Sequence, residues 1–447
     1  MKRLLLTFCS LAFISVSAQD HFSGISTSKR VGILNVGMNP SELSNLKSKF
    51  EVQIFAVSAN VSNDKISLKD LNSDANIEDL IFKGNKPVNL NIDTEILGPG
   101  FAMKLSKWGF AVTTKGYIKA NIIDVDTNLG SALANSTINS STSGVTILNT
   151  SNQRINSTSW GELGFSASRI IFNKNKNVIS GGVTLKLLFP GSFANVGIGN
   201  FNGTITGNSS GDLYLTNANT SMNIAYSGAL ANDFNDSSDY TRSVFGDLNG
   251  LATDIGINYI LKDNDKSYKL KIGAAIKNLG SMTYKGDDNV SKNFNLEIKN
   301  SETLNLDVFE NLNGIKDIET TLLNTGFVTL EDSKKEFKVK LPAVFNLYAD
   351  LKIISKLNLT VFMQQKMNSN EGNNQITSQN IFSVTPRISL GYFEAYIPVA
   401  INEISGTTGG FGFRLGGFFL GSNSVLTALT SDTKQADFYT GFRWGFL

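Results

Sequence analysis

The last ten residues of the chain, Phe438 to Leu447, alternate without a break. Phe438, Thr440, Phe442, Trp444 and Phe446 fall on one side of an extended strand, and Tyr439, Gly441, Arg443, Gly445 and Leu447 on the other. In water such an aromatic ribbon on a terminal strand is a sticky edge. A membrane barrel closes its sheet with it and turns the rings to lipid. Phe442, Trp444 and Phe446 are therefore expected to complete the closure of a β-barrel.

The other end reads as an export signal. Met1-Lys2-Arg3 is basic, Leu4 to Val16 is apolar, and Ser17-Ala18-Gln19 has the small residues of a cleavage site, so residues 1–18 form a signal peptide. The run is shorter than the ~20 residues of a membrane helix. Cys9 lies within it, preceded by Leu6-Thr7-Phe8 rather than by the small residues of a lipoprotein acceptor. Cleavage removes the single Cys of the chain, and with it any disulfide scaffold, thiol catalyst or Cys-ligated metal.

Charge narrows the class further. The 40 basic residues include Lys2 and Arg3, so the mature chain is balanced against its 38 acids and carries no global field for nucleic acid. No later apolar run is long enough for a helical span, so a membrane reading means a barrel.

Period-2 segments supply the strands. Tyr268, Leu270, Ile272, Ala274 and Ile276 oppose Lys269, Lys271, Gly273, Ala275 and Lys277; Ile255, Ile257, Tyr259 and Leu261 oppose Asp254, Gly256 and Asn258. From Phe337 to Leu351 every second residue is apolar, against Lys338, Lys340, Asn346, Tyr348 and Asp350. Strands are expected near 50–62, 98–107, 110–122, 160–172, 179–205, 211–227, 250–262, 266–279, 336–354, 356–367, 378–390, 392–403, 409–420 and 435–447, about 14 in a range of about 12 to 16. Short turns alternate with long loops except between 206 and 250, and residues 280–335 read as a long acidic, Asn-rich loop or excursion with room for its own hairpin. Soluble sandwiches alternate too. The leader, the aromatic last strand and the number of long strands select an all-β, transmembrane antiparallel barrel.

Three stretches resemble known outer-membrane proteins. Val36-Gly37-Met38-Asn39-Pro40-Ser41-Glu42-Leu43-Ser44 is similar to the Asn-Pro-Ala-x-Leu stretch before the first strand of FadL-like (long-chain fatty-acid transporter type) barrels, with Ser41 in place of Ala. Lys340-Leu341-Pro342-Ala343-Val344-Phe345-Asn346-Leu347 resembles their Leu-Pro strand entry, and Gly410 to Ser422 a late strand. The chain looks closest to an uncharacterised family of Bacteroidetes outer-membrane proteins related to them. The resemblance implies an N-terminal plug over residues 19–48, a barrel over 49–447 and an outer-membrane location in a Gram-negative cell. It carries over no ligand-binding residue.

Chemical motifs are present in spelling only. Gly207-Asn208-Ser209-Ser210-Gly211 fits Gly-x-Ser-x-Gly, but the sole histidine, His21, lies at the mature N-terminus and the segment is a turn. Asp124-Val125-Asp126-Thr127-Asn128 begins like a calcium loop, yet Leu129 stands at the obligatory Gly and Asn135 at the bidentate Glu. Gly410, Gly412 and Gly416 alternate with Phe411, Phe413 and Leu415 as inner positions of a strand. No catalytic residue, metal ligand or cofactor site is expected, and the chain is not read as an enzyme.

If apolar faces meet lipid, the opposite faces place Lys115, Lys119, Lys186, Lys269, Lys271, Lys277, Lys338, Lys340, Lys352, Lys366, Arg387, Arg414 and Arg443 in the lumen, against chiefly Glu162, Asp254, Asp350 and Glu394. Two placements satisfy the pattern. Either a basic lumen selects anions, or these residues sit at the rims and pair with loop and plug acids. The expected protein is a monomer in contact with outer-membrane lipid and the barrel-insertion machinery. It would be a passive channel for small hydrophobic or amphipathic anionic solutes, the alternative being a non-transporting barrel that serves secretion or surface assembly through its loops.

Overall fold

A computed structural model describes residues 21–28, 30–73, 76–135, 144–228, 246–264, 267–286, 289–310, 312, 314–430 and 432–446. Residues 1–20, with the expected signal peptide and Cys9, lie outside the described residues. The chain forms one closed antiparallel sheet of 14 strands. They are β1 (Phe50–Asn63), β2 (Val88–Leu105), β3 (Trp108–Val125), β4 (Gln153–Lys174), β5 (Asn177–Gly207), β6 (Leu213–Ser227, resuming as Gly250–Asn264) and β7 (Ser267–Tyr284, resuming as Val290–Asn305). There follow β8 (Val328–Lys334, Phe337–Lys340 and Val344–Ile354), β9 (Leu357–Lys366), β10 (Ile381–Leu390), β11 (Phe393–Tyr396 and Val399–Asn402), β12 (Gly406–Gly409 and Phe411–Leu415), β13 (Phe418–Ser422) and β14 (Gln435–Phe446). β14 closes on β1 from Phe446↔Phe50 to Ser62↔Gln435. Every strand therefore has two neighbours, as backbone in a bilayer requires.

Burial is inverted relative to a water-soluble protein. Along β6, Ile255 and Ile257 are 53% and 52% exposed while Asp254 and Asn258 are 3% and 1% exposed. Lipid solvates the first pair and the lumen holds the second. Trp108, Tyr392, Phe418 and Trp444 lie exposed beside the short turns and the chain end on one rim, where amphipathic rings favour a membrane interface. Phe442 and Trp444 stand edge to face on β14 at 6.5 Å. The Phe446 backbone pairs with Phe50; its side chain lies outside the described residues.

The expected count of 14 matches the barrel, but three of the expected segments differ in the structure. The segments 211–227 and 250–262 are halves of one strand: β5 pairs with the first half through Phe193–Gly207 and with the second through Asn177–Leu188. The segment near 409–420 is two strands, β12 and β13, joined at Gly416-Gly417, where Gly416 has φ +60°. Gly416 is thus a turn residue and not an inner strand position. With these corrections every second connection is a two-residue turn on one rim, and the connections on the other rim range from three residues (403–405) to long loops.

Residues 280–335 are not a loop excursion. Their alternation of Phe294, Leu296 and Ile298 with Asn293, Asn295 and Glu297 carries β7 beyond the membrane beside β8. With the upper parts of β5 and β6 these strands form a sheet on the long-loop side. The helices Thr127–Asn135 and Ile315–Asn324 cover it around a core that includes Phe201, Phe294, Leu296 and Leu322. Asp126 accepts from the backbone N–H of Asn128 and Leu129, so the calcium-like spelling is a helix cap. Asn208 accepts from Ser210 and Asp212 N–H, which makes the Gly-x-Ser-x-Gly spelling an Asx turn.

Ile272 is 38% exposed on the outer face of β7. Replacing it with Arg should cost about 2–4 kcal/mol of barrel stability if the position lies at the bilayer midplane. Equilibrium refolding into vesicles measures it; a cost no larger than that of Arg at the exposed, extramembrane Leu330 would refute the lipid assignment.

Candidate functional site

Residues 21–48 run through the lumen, and local chemistry sets their path. The segment lacks a strand period and instead makes two tight turns, Gly32–Gly37 and Pro40–Asn45. Between them Asn39 is fully buried. Its Oδ1 accepts from Ser41 N–H (2.9 Å) and hydroxyl (2.7 Å), while its Nδ2 donates to the carbonyls of Ile257 (3.0 Å) and Ala274 (3.3 Å). The Asn-Pro-Ser stretch is therefore the joint by which the plug grips β6 and β7. The wall accommodates it with glycines. A Cβ at Gly182 on β5 would come within 2.6 Å of the Pro40 carbonyl carbon, one at Gly256 within 2.0 Å of Asn39 Oδ1, and one at Gly109 within 2.5 Å of Leu43 O. Only residues without a Cβ let the plug backbone, and at Gly256 the Asn39 side chain, come so close to the wall.

Further contacts spread around the ring. Glu42 meets Lys271 of β7 at 3.1 Å and accepts from Tyr348 of β8. Ser28 donates to Glu394 of β11 at 2.9 Å, and Thr27 lies 3.2 Å from Thr360 of β9. Glu51 of β1 accepts from Ile33 N–H at 2.9 Å, and the carbonyl of Ser23 accepts from Tyr439 of β14 at 2.6 Å. His21 reaches Ser58 at 2.9 Å and Asp93 at 3.1 Å. Phe22 packs on Phe419 and Tyr439 at ring distances of 6.1 and 5.9 Å.

Most of the lumenal charges are paired within the wall, between neighbouring strands or, for Arg387 and Asp350, across the intervening β9. Lys115 meets Glu95 at 2.9 Å, Lys119 contacts Asp93, and Lys186 lies 2.9 Å from Asp254 and 3.5 Å from Glu162. Arg387 pairs with Asp350, Arg414 with Glu394 (2.8 Å), and Arg443 with Glu51 (3.1 Å). Expected lumenal residues Lys115, Lys119, Lys271, Arg414 and Arg443 are buried there, but as members of ion pairs. Lys352 pairs with Asp263 at the short-turn rim and Lys366 with Glu403 at the other.

Three expected lumen residues face outward. Lys338 and Lys340 are exposed, and Phe337, Val339 and Leu341 occupy the inner side with Trp160, Phe193 and Tyr284. The cause is Pro342: it interrupts β8 and flips the alternation, so only the part after it keeps Asn346, Tyr348 and Asp350 inside. Lys269 is exposed because the pairing of β6 with β7 shifts between Leu261 and Lys262, which turns Tyr268 inward.

The acids Glu42, Glu51, Asp93 and Glu95 were missed as lumenal partners. Asp93 and Glu95 alternate with Ile92, Thr94 and Ile96, a legible period that lay upstream of the expected start of β2.

Between plug and wall a cavity of about 110 Å³ remains. Ile33, Leu34, Val36 and Met38 line its plug side. Opposite stand the stacked rings of Tyr117 and Trp160 (4.5 Å), the Lys115 and Lys186 pairs, and Lys277. Among the described residues Lys277 has no carboxylate within 4 Å.

A model of a family of unknown function, DUF5723, matches residues 40–423. No curated protein matches significantly. Similar solved structures include a mutant of the TodX monoaromatic hydrocarbon channel (9% identity, 93% of this chain and 95% of that one, TM-score 0.47). Another is a FadL homologue of Pseudomonas aeruginosa (8%, 98% and 100%, TM-score 0.25). A third is the translocator domain of the autotransporter NalP from Neisseria meningitidis (7%, 89% and 89%, TM-score 0.31).

Glu42→Ala strips Lys271 of its carboxylate, and breaking a buried pair in this way costs about 3–5 kcal/mol. Plug docking should weaken, so limited proteolysis should cut within residues 21–48 while the barrel keeps its heat-modifiable migration on gels. Gly182→Val should do the same by steric exclusion. A plug as resistant as in the unaltered protein would show that neither contact holds it.

Proposed function

The chain belongs to this family of unknown function, and from its plugged barrel we propose that it is a passive outer-membrane conduit for small amphipathic solutes with an anionic head, rather than a catalyst. The short-turn rim would face the periplasm and the long-loop sheet the exterior, with a monomer held in lipid after delivery by a signal peptide and the insertion machinery. The observation that carries this reading is the cavity: an apolar plug surface faces a wall on which Lys277 alone among the cations named there lacks a carboxylate partner. An apolar tail fits the first surface and a carboxylate or similar head the second. Selection by a strongly basic lumen is not part of the proposal, because the wall carboxylates neutralise most of the lysines and arginines.

A second reading rests on the long-loop sheet. Its own apolar core gives the barrel a folded surface outside the membrane, as a secretion or assembly scaffold would need.

Conductance and solute uptake in liposomes separate the two. The intact protein should conduct weakly, and deletion of residues 21–48 should raise conductance sharply. In the plug-deleted protein Lys277→Glu should move the reversal potential toward cation preference, whereas the outward Lys338→Glu and Lys340→Glu changes should leave it unmoved. Absence of flux in both intact and plug-deleted protein would leave the scaffold reading standing.

A further inference from the structure

The lumen is closed a second time, from the long-loop side. Residues 367–380 connect adjacent strands β9 and β10, yet they cross to the other side of the mouth. Asn152, preceding β4, donates its N–H to Glu371 Oε2 at 2.9 Å and its side-chain amide to Glu371 O and Asn373 Oδ1 at 2.8 Å. Gln379 donates to Ser62 of β1 at 3.1 Å. Lys340 and residues 374–376 exchange backbone hydrogen bonds, and Ile376, 1% exposed, enters the apolar layer of Phe337 and Val339. Ser378 of the same segment lines the plug cavity. The cavity is thus bounded by the N-terminal plug below and this segment above.

Beneath the crossing segment lies Arg154 of β4. Its side chain is 0% exposed, and among the described residues its one hydrogen bond is a long one, from Nη1 to the backbone carbonyl of Gln375 at 3.4 Å. Nε and Nη2 have no partner among the described residues. The neighbouring carboxylates are otherwise engaged: Asp124 accepts from Asn89 and Glu371 from Asn152, and neither comes within 4 Å of the guanidinium. A buried guanidinium with most of its donors idle is costly. A bidentate oxyanion is the ligand its planar fork fits.

We propose that Arg154 is an oxyanion-binding residue at the outer mouth, and that its contact with the Gln375 carbonyl is the latch of an outer gate. Resting on the conduit reading above, the carboxylate of an entering amphipathic solute replaces that carbonyl, frees residues 367–380 from β4, and reaches Lys277 only once the gate has opened. The arrangement gives the solute a reason to shift the gate: it binds the open state through the Nη1–Nη2 fork, and in the closed state the Gln375 carbonyl occupies Nη1.

The Cys-free mature chain permits a direct test. A thiol introduced by Ile376→Cys is buried while the gate is shut, so a membrane-impermeant maleimide on the long-loop side reports opening. Octanoate should speed labelling by about tenfold, the effect of ~1.4 kcal/mol of differential binding, and octanol of equal chain length should not. Adding Arg154→Gln should give fast labelling that octanoate no longer changes, with heat-modifiable migration as the folding check; Arg154→Lys should restore part of the dependence. Equal labelling rates with octanoate and octanol, or an octanoate response that survives Arg154→Gln, would overturn the latch. Octanoate flux recorded in the same vesicles keeps the two readings apart: flux without gated labelling defeats the latch alone, and gated labelling without flux defeats the conduit alone.

Discussion

A closed ring of 14 strands encloses more space than its own side chains can fill, since about eight strands already leave only room enough for side chains. The rest of the structure depends on this constraint. Membrane solvation forbids an open sheet edge, so the ring must close, and closure at this circumference leaves a lumen to be occupied. The N-terminal segment and the β9–β10 connection occupy it from opposite ends. Both are irregular, as backbone at membrane depth can be when it is surrounded by protein.

Occupying the lumen raises a second problem, the burial of charge. Lysines and arginines on the inner faces would be prohibitive under an apolar plug, and the wall answers most of them with a carboxylate on an adjacent or next-but-one strand. Asp93 with Lys119, Glu95 with Lys115 and Asp254 with Lys186 follow from strand pairing alone. Glu42 is different: it comes from the plug and compensates Lys271 only when the plug is seated. Docking is thereby built into the electrostatics of the wall. Arg154 and Lys277 stand outside this scheme, and they are the positions to which functional roles are assigned above.

Space is managed as closely as charge. Tyr348, Tyr396 and Tyr439 each lie over an inward glycine of the adjacent strand (Gly273, Gly412 and Gly421), where a Cβ would come within 2.2–2.3 Å of the ring or its hydroxyl. Laying a long ring over a strand glycine fills the inner wall without narrowing it and ties neighbouring strands together. The same glycines that look weak as strand formers thus become packing sites.

The sequence by itself determined the membrane face and the closure. The alternation of Phe438 with Tyr439, or of Ile255 with Asp254, is set by the two-residue period of a strand and by which solvent each face meets, and both are local. It also held the total of 14 strands, although the break in β6 and the tight turn at Gly416-Gly417 offset each other in reaching it. Tertiary structure decided everything that depends on which residues meet at a distance. Pro342 reverses the alternation of β8 and sends Lys338 and Lys340 outward, the shifted pairing of β6 with β7 does the same to Lys269, and no local pattern reveals either. Glu42 with Lys271, or Arg154 with the Gln375 carbonyl, joins residues more than two hundred positions apart. Such contacts are fixed by the path of irregular segments through the lumen, and a segment without a period carries no sequence signal of the direction in which its side chains point.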